Sequence, residues 1–301
     1  MGTLSSIKYR FKSADMLMKI IYINIAAFLI LRIIGIVCYF SGIDTMSFLS
    51  FVELPSSFTL LSKKCWTLIT YMFAHYEVMH ILFNMLVLYW FGRMFLDFFT
   101  PKQFCGLYIL GGIGGGLLYL LAYNLLPPLS GSTSWLIGAS ASVMAIVIAI
   151  STKAPHYKLN LLFLGPISLK WIAIFYVTID MLSINGANVG GHVAHLGGAF
   201  IGFLFTLAIN RGIDISAPLN HIIDFFTNIK NPFKNFQFKK HSPEKGNNSK
   251  NTYNNQYNNN TMSKEDEQAL DIILDKIKKS GYTSLSEAEK RRLFQVSSKK
   301  Q

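Results

Sequence analysis

Residues Trp135 to Ile150 read "WLIGASASVMAIVIAI". The run is apolar enough for a membrane, yet at ~1.5 Å per residue it extends only roughly 24 Å, short of the ~30 Å hydrocarbon core. A helix that short needs protein around it and begins below the membrane surface, which leaves room for water above its first turn. Its first half is crowded with small residues: Gly138, Ala139, Ser140, Ala141 and Ser142. Small residues let neighbouring helices approach closely. A nucleophilic serine needs the same kind of surroundings, so the stretch admits both packing and chemistry.

The rest of the chain supports a membrane setting. Of its 301 residues, 51% are hydrophobic and 15% are charged, against about 25% charged in an average soluble domain. Apolar runs fall at 19–40, 78–99, 104–126, 135–150, 159–182 and 189–210. These predict an all-α bundle of six transmembrane helices. The first run is longer than a signal-peptide core and has no small-residue cleavage site after it, so it is expected to be retained. Cys38, Cys65 and Cys105 form no disulfide framework and no Cys-x-x-Cys pair. The formal net charge is +12, with basic residues gathered near both ends. This pattern points to membrane orientation and no nucleic-acid partner.

Lys8, Arg10, Lys12 and Lys19 precede or open the first run, and Arg93, Lys102, Lys153 and Lys158 flank the second and fourth connections. The third-to-fourth and fifth-to-sixth connections have no Lys or Arg. The positive-inside rule then predicts that both termini are cytoplasmic. Arg32, inside the first run, needs no function: it can snorkel or face the bundle. The expected organisation is a cytoplasmic segment 1–18, a membrane domain 19–210, an Asn-rich disordered linker 211–262, and a small cytoplasmic helical hairpin 263–301. In the hairpin, Ser263 is a candidate cap. Leu270, Ile273, Leu274 and Ile277 share one face, and Gly281 ends the first helix. Ser286 and Glu289 have capping-box spacing for the second.

Polar groups inside apolar runs are functional candidates because burying them is unfavourable. "HYEVMHILFN" (residues 75–84) opens the second run with His75, His80 and Asn84, the last two on one helix face. "NVGGHVAHLGGAFIG" (residues 188–202) opens the sixth with His192 and His195, then Gly198 and Gly202 in G-x-x-x-G spacing. Each residue has an ordinary alternative: serine bonding back to a carbonyl, histidine and asparagine as interhelical donors, glycine as packing. Topology argues for more. Runs two, four and six start from the same side, so Ser140, His195, His80 and Asn84 all fall within roughly 3–9 Å of the outer face at ~1.5 Å per residue. Independent packing residues have no reason to agree in depth.

At these residues the chain resembles the rhomboid intramembrane serine proteases, of a bacterial type with a small helical C-terminal extension. The resemblance rests on "HYEVMHILFN", "GAS" and "AHLGGAFIG" in runs two, four and six, over roughly residues 60–210. It implies a Ser–His dyad, with Ser140 as nucleophile and His195 as general base, and oxyanion donors at His80 and Asn84. Gly138, Gly198 and Gly202 would support the packing. A base is what makes a serine hydroxyl nucleophilic, and histidine has a suitable pKa. No acidic group is expected at matching depth, so no third member is anticipated. His192, one turn before His195, is the competing base, disfavoured by the glycine spacing. The residue after the serine departs from the usual glycine and is Ala141; Met144 replaces a common aromatic; Trp66-Thr67 stands where many members have Trp-Arg.

The implied activity is cleavage of transmembrane segments of membrane proteins near the outer face of a bacterial inner membrane, with the lipid bilayer as the other partner and no cofactor or metal. Gly165 and Pro166 are expected to loosen the fifth helix, beside which substrate would enter. Two other classes compete: a rhomboid-like protein that binds transmembrane helices with weak or no catalysis, and a transporter using buried histidines. A metalloprotease does not fit, because His75 and His80 are five apart where His-Glu-x-x-His needs four. Adventitious metal binding by His75, His80, His192 and His195 remains chemically open.

Overall fold

The computed structural model describes residues 13–161 and 165–229, with isolated positions between 5 and 11 and between 273 and 290. The chain divides into two compact units, residues 1–237 and 238–301.

Among the described residues the first unit is built on seven main helices. They are α1 (Met16–Phe40), α2 (Val78–Leu96), α3 (Pro101–Leu125), α4 (Ser140–Lys153), α5 (Leu169–Leu182), α6 (Val189–Asn210) and α7 (Ala217–Ile229). Four of them, α1, α2, α3 and α6, are long and apolar enough to cross a membrane. Among the described residues α4 is a shorter apolar helix, and α5 is equally short at 14 residues. Local chemistry sets the helix starts. Asp15 caps α1 by accepting from the Met18 amide at 2.8 Å and also pairs with Arg93 at 2.7 Å. Thr100 and Gln103 form a capping box at the start of α3, where Pro101 takes the first turn.

Two expected spans start later than their hydropathy suggests. Trp135 and Leu136 form strand β2, paired antiparallel with β1 (Leu54–Pro55) of the long first connection, so α4 begins at Ser140 and not near 135. Residues Lys158–Leu161 (β3) and Gly165–Ser168 (β4) form an antiparallel pair, so α5 begins at Leu169. Gly165, with φ +71, and Pro166 therefore sit in β4 and not in a loosened helix. An apolar strand and an apolar helix give the same hydropathy signal.

The core is centred on α4. From Ala141 to Ser151 every α4 residue is buried. At the far end from Ser140, Phe95, Phe99, Phe104 and Phe205 pack ring on ring, with centroids 4.3–6.1 Å apart. At the other end, Tyr108 donates to the Met72 carbonyl at 3.0 Å and meets Asn24, tying α1 and α3 to the segment before α2. Arg32 donates to the Tyr76 carbonyl at 3.5 Å. The three cysteines are free.

Part of the expected linker is ordered: α7 occupies residues 217–229, with Lys102 and Asp224 paired at 2.7 Å. Ser263, Leu270, Leu274, Ile277 and Gly281 lie outside the described residues. In the second unit, Ile273 and Leu285 are buried. The Ser286 amide donates to Glu289 at 2.7 Å and the Glu289 amide to Ser286 Oγ at 3.3 Å, the reciprocal pair of a capping box.

Candidate active site

Ser140 is the first residue of α4, and the chain is forced into that position from both sides. Gly138 has φ +115, a conformation that L side chains rarely adopt. Its amide donates to the Tyr71 carbonyl at 2.9 Å, and the Ala139 amide donates to His75 Nε2 at 3.3 Å. The turn before the serine is therefore tied to residues 71–75. A Cβ at Gly138 would lie 2.8 Å from His80 Cε1 and Nε2 and 3.8 Å from Ser140 Oγ. The His80 ring is thus packed over Gly138, next to the serine hydroxyl. The first amides of a helix have no intrahelical acceptor and carry the positive end of its dipole. The Ser140 amide belongs to that set.

Asn84 sits one helical turn after His80 on α2. Its Nδ2 is 3.2 Å from His75 Nε2. Because the Ala139 amide also donates to that nitrogen, His75 Nε2 is an acceptor and the Asn84 amide group is the donor. One of the two Asn84 N–H bonds is used in this way and the other is available to the site.

His195 is placed by glycine contacts. A Cβ at Gly198 would run into the Ala141 carbonyl oxygen, and one at Gly202 into the Ala145 carbonyl oxygen. α6 therefore lies backbone against backbone on α4, as the G-x-x-x-G spacing predicts. On the other flank, Gly115 of α3 leaves space for the Ala141 methyl, and Gly111 for that of Ala145. The departure at Ala141 thus has a compensating partner: its side chain is 1% exposed and fills the place where Gly115 has none. Ser142 Oγ lies 3.9 Å from Met72 Sδ in the core, a packing position.

Ser140, His195, His80, Asn84 and Met144 all line one open cavity of about 840 Å³. The wall is completed in part by Tyr76, Trp135, Tyr176 and Asp180.

Asp180 was not anticipated. Its Oδ1 accepts from His195 Nδ1 at 2.9 Å and from His192 Nδ1 at 2.8 Å. With Nδ1 carrying the proton, His195 keeps Nε2 as its free lone pair. The expectation of no acidic group at matching depth is corrected by chain direction. In the expected six-span topology α5 runs opposite to α2, α4 and α6, so its C-terminal end would share the face from which those three helices start. Asp180 is two residues from the end of the expected span 159–182, which at ~1.5 Å per residue would put it roughly 3 Å from that face. Counting depth from the ends of odd-numbered spans as well would have found it.

Residues 62–212 match the Rhomboid domain family, and residues 251–299 match a family of unknown function (DUF6576). RHOMBOID-like protein 12, mitochondrial, of Arabidopsis thaliana is 32% identical over 163 residues, covering 50% of this chain and 48% of that protein. Presenilin-associated rhomboid-like protein A, mitochondrial, of Danio rerio is 31% identical over 156 residues, 50% of this chain and 38% of that protein. Rhomboid protein 1, mitochondrial, of Saccharomyces cerevisiae is 30% identical over 146 residues, 47% and 41% of the two chains. The chain thus matches less than half the length of each of these relatives. Their names all say mitochondrial, which overturns the expected bacterial inner membrane. The matched domain spans the glycine-packed helices and every residue of the serine-lined cavity from Tyr76 to His195; the chain belongs to the rhomboid family.

Proposed function

We propose that the protein is an intramembrane serine endopeptidase that cuts transmembrane segments within the cavity above α4. The supporting observation is the joint placement of Ser140 at a helix start and His195 on the same cavity wall, with Asp180 holding the His195 proton on Nδ1. In this reading, His195 Nε2 takes the proton from Ser140 Oγ as that oxygen attacks the scissile carbonyl carbon. The carbonyl oxygen becomes an oxyanion facing the Ser140 amide, the free Asn84 N–H and His80. His195 then passes its proton to the leaving amine. Water from the cavity, deprotonated in turn by His195, releases the acyl group from Ser140. Asp180 keeps His195 in the productive tautomer and favours its protonated form during the step.

Substrates are proposed to be transmembrane helices that unwind readily, with a small residue before the scissile bond. Six crossings, with α4 buried among the longer helices and α5 exposed along most of its length, would place both ends of the membrane domain on one side. A mitochondrial membrane is the location that the relatives' names support.

The reading is tested with a serine-directed fluorophosphonate probe on the purified protein. Covalent labelling is expected at Ser140, found by peptide mass mapping, and lost in His195→Ala. Labelling that persists undiminished in His195→Ala would contradict the dyad. A folded protein that neither labels nor cleaves would favour a rhomboid-like binder of transmembrane helices.

A further inference from the structure

His192, one turn before His195 on α6, has no part in the proposed reaction, yet it is bonded to the same carboxylate oxygen. Two imidazoles crowd onto Asp180 Oδ1, while Asp180 Oδ2, also buried, has no hydrogen-bond partner. As a set of hydrogen bonds this is lopsided: one oxygen serves two donors and the other serves none. As a set of metal ligands it is balanced. Two nitrogen atoms and a carboxylate oxygen lie within 4.8 Å of one another. The histidines occupy i and i+3 positions of one helix, and the carboxylate comes from its neighbour. The histidine side chains are 21% and 22% exposed, so an ion can reach them, and His195 and Asp180 open onto the cavity.

We propose that Asp180, His192 and His195 form an inhibitory zinc site. Zinc takes His and Asp ligands at ~2.0–2.1 Å in a tetrahedron, which sets ligand atoms about 3.3 Å apart. The present Oδ1–Nδ1 separations, 2.8 and 2.9 Å, need to open by only a few tenths of an ångström. Cavity water supplies the fourth ligand, and Oδ2 becomes available as a second carboxylate donor. Two imidazoles with one carboxylate suit zinc better than calcium or magnesium, which prefer oxygen ligands.

The chemical consequence follows from the tautomer. Zinc binds the Nδ1 lone pair, so a neutral His195 must carry its proton on Nε2. That nitrogen can no longer accept the Ser140 proton, and the base is lost without blocking the cavity. The site itself stands on geometry alone; the inhibition rests on the proposed proteolytic function.

The test separates the two. Purified Ser140→Ala protein in detergent is titrated with Zn²⁺ by calorimetry and with Co²⁺ by visible absorption. One saturable tetrahedral site per chain is expected. Adding His192→Gln or Asp180→Asn to that background should weaken it at least ~10-fold, while His221→Gln, on α7, should not change it. Absence of a saturable site, or affinity unchanged by both His192→Gln and Asp180→Asn, would overturn the metal site. In the cleavage assay, the zinc concentration that halves each protein's own rate should rise at least ~10-fold in His192→Gln. Zinc that binds with wild-type cleavage unchanged would overturn the inhibitory role. If the wild type does not cleave without zinc, the proposed function fails, and the titration still decides the site.

Discussion

The two flanks of α4 are built differently. Toward α3 and α6 the contact is close-packed: Gly111 and Gly115 receive the Ala145 and Ala141 methyls on one side, and Gly198 and Gly202 lie against the Ala141 and Ala145 carbonyls on the other, each leaving no room for a Cβ. Toward α2 and α5 the flank is a cavity bordered by side chains. α5 buries only Leu169 and Asp180, and presents Trp171, Ile174, Phe175, Met181 and Leu182 outward. The proposed base thus rides on the close-packed flank and its orienting carboxylate on the looser one. Close packing defines a distance to a few tenths of an ångström, which is what a Ser–His proton transfer requires. A looser neighbour can tune that pair and need not position it.

Breaking the close-packed flank should have the largest effect. Gly198→Leu drives a side chain into the Ala141 carbonyl. Overpacking of this kind destabilises by about 1–3 kcal/mol, and a 1 Å misplacement of reacting groups lowers the rate ~10²-fold. Cleavage is expected to fall at least that far, with a lower thermal midpoint; a wild-type rate would show that α6 is not positioned by this contact.

On the cavity side, effects should appear in rate without loss of fold. Asn84→Ala is expected to lower kcat roughly 10²-fold, the scale for one oxyanion donor. The midpoint should stay near wild type, because the Ala139 amide still satisfies His75 Nε2. Asp180→Asn keeps an acceptor but removes its charge. A charged hydrogen bond exceeds a neutral one by about 1.4 kcal/mol, so kcat should drop about 10-fold with KM little changed. A rate equal to wild type would make Asp180 a packing residue.

The smallest effect lies in the first connection. Burial, partly offset by Tyr76 and Lys64, holds the Glu53 carboxyl above the usual carboxylate range. A raised folded-state pKa means that the folded protein holds its proton more tightly, so stability is lost as pH rises past the unfolded value. Glu53→Gln is expected to raise the thermal midpoint slightly at pH 7, with the gain disappearing near pH 4. A gain independent of pH would point to packing instead.

Much of this was legible in the sequence for physical reasons. Long apolar runs place α1, α2, α3 and α6 within a few residues, because a membrane crossing leaves an unambiguous length signal. The G-x-x-x-G spacing foretold the approach of α6 to α4, since only glycine permits it. The starts of α4 and α5 were hidden, because Trp135-Leu136 and Leu159-Asn160-Leu161 are as apolar as the helices they precede, and strand pairing is a tertiary event. Asp180 was hidden by direction, since its depth is visible only when α5 is read from its far end. Ala141 appeared as an anomaly because its compensation, Gly115, lies on another helix.

The most direct measurement of the central claim is cleavage of a transmembrane substrate in liposomes by wild type and Ser140→Ala. The account predicts cleavage by wild type at a bond within the membrane segment, and none above background by Ser140→Ala, with both proteins sharing one thermal midpoint. Equal cleavage by Ser140→Ala would contradict it.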